Sequence, residues 1–207
     1  MMVKANMKKD GSDAVARLCR AYIAFVETPS EDVLFNWSNA LHSMHDRVPK
    51  AMRSDLFKHG EFVAMKALRN HFHHGGEVTH NVKPLAISNQ PLVSDLGILC
   101  LIDREVVLTA IQAIDTKYKA EQQPLAMHAL KWYGQYVNLY PAIFNLMVHV
   151  ILLARRYGVT SPDNEAYKRL ADAVAKDEAN GYPLTVSGEI YCHASSVDAF
   201  LASLMCP

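Results

Sequence analysis

Residues 69–76 read Arg-Asn-His-Phe-His-His-Gly-Gly, which sets one guanidinium, one carboxamide and three imidazoles within six positions. Arginine keeps its proton and offers a planar fork of donors that matches a phosphate. Histidine titrates near neutral pH and can take or give a proton. Asparagine can orient a partner or donate to it. Together these groups meet the needs of RNA cleavage by internal transesterification. A base takes the 2′-OH proton, a fixed cation stabilises the charged phosphorane, and a third group holds the geometry. A metal site fits the run less well. Histidines that share a metal on one helix usually sit four apart. No two of His71, His73 and His74 have that spacing, no carboxylate lies in the run, and Arg69 opposes a cation. No metal and no cofactor are therefore expected there.

On a helix that advances about 100° per residue, Arg69, Asn70, His73 and His74 share one face. His71 falls on the far side, and Phe72 lies beside Leu68 on the buried flank. Lys66 precedes the run and His80 follows it, so His71, His73, Lys66 and His80 are candidate auxiliary or RNA-binding groups. The same residue types also gather at ordinary helix C-termini, where imidazolium suits the negative end of the dipole and glycine takes the left-handed turn. That accounts for His73, His74 and Gly75 without chemistry. It does not call for Arg69 followed directly by Asn70.

The stretch Leu68 to Gly75 resembles the signature of the HEPN superfamily (higher eukaryotes and prokaryotes nucleotide-binding). That signature is an arginine, a polar residue, then a few positions and a histidine, on a helix of an all-α bundle. Arg69 matches the arginine, Asn70 the polar position, and His74 the histidine at the shortest usual spacing; His73 is one position too close. The resemblance implies a metal-independent endoribonuclease of a kind that serves as toxin, in phage defence or in RNA processing. It implies a homodimer, with the active site where two motif helices meet. His74 is then the general base or acid, Arg69 the phosphate and transition-state stabiliser, and Asn70 the orienting group. Many members have lost catalysis, so the resemblance equally implies a noncatalytic module that binds nucleotide, RNA or a protein partner such as an antitoxin. Segment 77–95 departs from the generic pattern of the family.

The rest of the chain must position these residues. It has 207 residues, half of them hydrophobic and a fifth charged, which is globular composition. A chain this long buries a core without disulfide or metal staples. The 21 basic and 21 acidic residues balance overall, so no dedicated DNA-coating protein is expected. Residues 1–83 carry 12 Lys/Arg against 9 Asp/Glu, and a polyanion is best accommodated there, near Lys50, Arg53, Lys58, Lys66 and Arg69. The four cysteines are scattered, and the opening residues lack the apolar core of a secretory leader, so a cytoplasmic location with reduced thiols is expected. The apolar run from Ala142 to Ala154 is too short to span a bilayer and reads as a buried helix.

The expected fold is mostly α: a helical bundle with a loop or short β-hairpin insertion around residues 77–95. Residues 1–11 are expected as a flexible tail and 12–207 as a single domain. A first helix runs from Ser12. A second is capped by Thr28, begins at Pro29 and ends at Pro49. A third starts near Ser54 and stops at Gly75-Gly76, with Gly60 a weak point. One strand or hairpin is expected near Val82 to Ile87. Helices are expected to resume through Asp95–Gln123, after which Pro124 punctuates. The segment from Leu125 to Gly158 reads as one long helix or two broken at Pro141. A helix opening at Ser161-Pro162-Asp163 and a short final one complete the bundle. His42 and His45, beside Asp46, read as a solvated helix face or the flank of an RNA groove, and His149 as a satisfied core histidine.

Overall fold

A computed structural model describes residues 2–75, 82–86, 92–192 and 196–205; the side chains of residues 2–8, 74, 75, 82, 92, 93 and 192 lie outside the description. The architecture is mostly α with a small antiparallel sheet. Helices α1 (Met2–Glu27) and α2 (Glu31–Arg47) form an antiparallel pair, followed by α3 (Lys50–Leu56) and α4 (Gly60–Gly75). Strands β1 (Val82–Ala86), β2 (Leu92–Ser94) and β3 (Ile98–Asp103) lead into α5 (Arg104–Gln112) and α6 (Thr116–Ala129). A hairpin of β4 (Lys131–Tyr133) and β5 (Tyr136–Asn138) then precedes α7 (Tyr140–Tyr157) and α8 (Glu165–Ala179). Strand β6 (Ile190–Cys192) and α9 (Val197–Met205) complete the chain's elements. The larger sheet has the order β1-β3-β5-β4, and β2 pairs with β6. Among the described residues, no helix is long and apolar enough to cross a membrane.

Helix α7 is the centre of the bundle. Eleven of its residues, from Tyr140 to Ala154, are buried, as its nearly unbroken apolar run requires. Phe25, Trp37, Met44, Met52, Leu56 and Phe62 of the first four helices are buried in the same core. Strand β3 divides the interior. Ile98, Cys100 and Ile102 face this main core, while Leu99 and Leu101 face a second cluster with Ile190 and Leu201 of α9. That alternation is the period-two geometry of a strand buried on both sides.

Several local expectations change. Helix α1 begins at Met2, so residues 2–11 extend the helix instead of forming a tail, and Gly11 is buried. Ser30, not Thr28, caps α2, accepting from the Val33 N–H. The third expected helix is two: α3 starts at Lys50, and the chain breaks at Phe57–His59 before α4. Pro124 lies inside α6. Residues 98–103 are a strand, because a short apolar run fits a buried strand as well as a helix and only the packing decides. Residues 131–138 form a hairpin with a two-residue turn in which Gly134 takes φ +51°, the left-handed region that such turns require. Its Trp, Tyr and Val residues suit strands.

Asn138 holds sheet and bundle together. Its buried side-chain oxygen accepts from the Cys100 N–H of β3 at 3.0 Å and the Tyr140 N–H of α7 at 3.2 Å. Pro84 of β1, in register with Cys100, has no N–H to offer the Cys100 carbonyl, which accepts from the Leu139 N–H at 2.8 Å instead. Asn138→Ala leaves both donors buried without an acceptor. We expect a loss of about 2–4 kcal/mol, read as a fall in Tm of roughly 5–15 °C by thermal circular dichroism. A fall under about 2 °C contradicts this assignment.

Candidate functional site

Helix α4 carries the chemistry-bearing run. Phe62, Val63, Ala64, Met65, Ala67 and Leu68 are buried, and Lys66, Arg69, Asn70, His71 and Phe72 are half-buried. The helix packs against α2 on one flank, α5 and α6 on the other, and α7. Its polar residues therefore emerge along two separate edges.

Arg69 emerges on the α2 edge. It lines a small crevice with Ser38, His42, His45, Met65 and Lys66, and a second of about 40 Å³ with Leu34, Trp37, Phe72 and His73. Its Nε is buried and has no hydrogen-bond partner, and Arg69 forms no ion pair among the described residues. Asn70 and His71 emerge on the other edge. They line an open cleft of about 1080 Å³ between α4 and the α5–α6 pair, opposite Asp115, Tyr118, Glu121 and Gln122. Lys66 borders both the cleft and the α2 crevice. Of the residues expected on one face, Arg69 and His73 line one crevice, while Asn70 joins His71 on the other edge; Lys66 shares the other Arg69 crevice. The His74 backbone lies in the last turn of α4, but its side chain and all of His80 lie outside the described residues.

The α2 edge adds His42, His45 and Asp46, which the sequence marks as a solvated face or the flank of an RNA groove. His45 is no solvated side chain: 12% of it is exposed, and its ring stacks on Phe62 at 5.3 Å and meets Phe57 edge-on at 5.6 Å. Its Nδ1 pairs with Asp46 Oδ1 at 3.1 Å, and His42 Nε2 approaches Asp46 Oδ2 at 3.6 Å. The Lys66 ammonium lies 5.2 Å from the centre of the Phe57 ring. The signal for this cluster was the i, i+3, i+4 spacing of His42, His45 and Asp46, which sets them on one face of α2.

Electrostatics favour neutral imidazoles here. Burial, then Arg69, hold the His42 pKa below the ordinary imidazole value, with Asp46 opposing. Burial and Lys66 do the same for His45. Burial also lowers Lys66, and Arg69 adds to the effect against Asp46. Burial would raise Asp46, but its hydrogen bond to His45 and the nearby imidazoles bring it down on balance. The arrangement sets imidazoles held toward their neutral form beside the Arg69 and Lys66 cations.

The chain matches no family model, and neither the curated proteins nor the solved structures compared with it give a match.

A histidine with a lowered folded-state pKa binds more protons when unfolded, so it withdraws stability as pH falls through its ordinary value of about 6.5 and toward its folded one. We therefore expect Tm to fall between pH 7 and pH 5. In the double variant His42→Gln/His45→Gln that slope should flatten, measured by thermal melts across the range. An unchanged slope excludes these two rings as its source.

Proposed function

We propose that the Arg69 edge of α4 grips an RNA phosphodiester and cleaves it without metal, in the manner of a HEPN-type endoribonuclease acting on cytoplasmic RNA. The observation that carries the reading is the half-buried Arg69 guanidinium beside Lys66, facing the low-pKa imidazoles His42 and His45. A guanidinium in a partly water-excluded crevice stabilises charge on a phosphorane more strongly than one in open solvent. A neutral imidazole is the form that accepts the 2′-OH proton. In this reading His74 is the base that the family resemblance names, and His42 is the base that the α2 edge supports. Two chains pairing through their α4 edges would bring a second set of these groups to the same phosphate. A toxin or phage-defence role, with an antitoxin as partner, follows from the same resemblance.

A second reading is noncatalytic binding of nucleotide or RNA. It is favoured by Asn70, which lines the α5–α6 cleft and not the Arg69 crevice. It predicts binding without turnover, weakened by salt as counterions compete.

Purified protein incubated with RNA in EDTA separates them. Cleavage should leave 2′,3′-cyclic phosphate ends. Arg69→Ala should slow it by about 10²–10³, and loss of the true base, read from His42→Ala and His74→Ala, by about 10²–10⁴. Cleavage that needs added metal, or that survives both Arg69→Ala and His74→Ala, overturns the proposal. Binding without cleavage that Lys66→Ala and Arg69→Ala weaken establishes the second reading.

A further inference from the structure

The opposite end of α4 carries a different constellation. His59 lies in the link before the helix, Glu61 in its first turn, and His149 midway along α7. One ligand atom from each lies within 4.8 Å of the other two, and all three residues are half-buried. The two imidazole rings stack with centroids 3.9 Å apart, and His149 Nε2 is 3.9 Å from Glu61 Oε1. Two nitrogens and a carboxylate oxygen are a donor set that zinc and its neighbours accept, commonly with a further position left to water. In a tetrahedral site with bonds of about 2.0–2.1 Å, donor atoms stand about 3.3 Å apart. The three atoms need close by no more than about 1.5 Å per pair, which side-chain rotation supplies.

The backbones that carry them are fixed. A Cβ on Gly60, between the two ligands of α4, would lie 2.1 Å from the Leu125 carbonyl oxygen of α6. Only glycine lets the first turn of α4 press this close. The His59 carbonyl accepts from Phe62 and Val63, and its N–H donates to the Leu56 carbonyl. His149 is carried on the most buried helix of the fold. Ligands held on rigid elements are what a preorganised site requires.

We propose that His59, Glu61 and His149 bind one divalent transition-metal ion of the zinc class, clipping the start of α4 to α7. The site is separate from the Arg69 edge, eight residues or about 12 Å further along the helix, so the two stand or fall independently.

The test uses the full chain, stripped with EDTA, dialysed and titrated with Zn(II) and, separately, Co(II). At about 100-fold over Kd, Zn(II) should raise Tm by roughly 5–10 °C. Co(II) should give visible ligand-field absorption that saturates at one ion per chain. His59→Gln and Glu61→Gln should each lose the Tm rise and the spectrum, and both variants keep a side chain able to hydrogen-bond if the cluster is only an ion pair. Because other histidines lie along α4, His73→Ala is the control and should retain both signals. No saturable binding by the wild type, or equal binding in His59→Gln and Glu61→Gln, overturns the site.

Discussion

Both candidate sites on this protein depend on how α4 is buried. The helix has neighbours on both flanks and α7 against it, so its apolar stripe, Phe62 through Leu68, cannot rotate without exposing core. Once that stripe is set, successive polar residues about 100° apart must leave by different sides. Arg69 goes to α2 and Asn70 to α5–α6. An isolated helix would present Arg69, Asn70, His73 and His74 along one face; a wedged helix sends Arg69 and Asn70 to different edges. The chemistry available at each edge is then completed by residues of other elements, His42, His45 and Asp46 on one side and Asp115, Glu121 and Gln122 on the other.

That division sets the electrostatic character of the two edges. On the α2 side two cations and two imidazoles share one acid, Asp46, and partial burial penalises every charge. The cheapest response for the histidines is to stay neutral. Arginine has no such option, since it does not deprotonate in proteins. The result is a permanent positive charge with its Nε unsatisfied beside two neutral bases, and an anion is the ligand that relieves it. The α5–α6 cleft is the reverse case: wide, open and lined by Asp115 and Glu121, it suits a neutral or cationic group better than a phosphate.

The parts of this picture that local signals govern were legible in the sequence. Pro49 does terminate α2, β1 does fall at Val82–Ala86, the Ala142–Ala154 run is a buried helix, and the final helix lies where the tail turns apolar. The mostly α class with a short β insertion followed from these. What long-range packing governs was not legible. Ile98–Ile102 is a strand because α9 and the main core cover its two faces, and neither is visible from within five apolar residues. The hairpin at 131–138 competes with a convincing helical spacing of aromatics and wins through Gly134. The candidate site divided in the same way. Arg69 stood out by type and spacing; the partners of His45 and His149 come from other elements, at Phe57 and Phe62 for the first and at His59 and Glu61 for the second.

His149 shows how such a residue changes meaning. Alone on an apolar helix it reads as a core histidine that has found a hydrogen bond. Stacked on His59 and facing Glu61, it becomes one of three donors around a point. The helix dipole sharpens the contrast between the ends of α4. Its positive end stabilises the Glu61 carboxylate in the first turn and disfavours a bare cation there, so the proposed ion depends on that carboxylate and the two imidazoles to offset the dipole. At the other end the dipole disfavours an anion, so a phosphate there must be drawn in by side chains against it. One helix, wedged in place by Gly60 at its start and by its buried stripe beyond, thus carries the proposed metal ligands at one end and the proposed phosphate edge at the other, each set against the field of the helix that carries it.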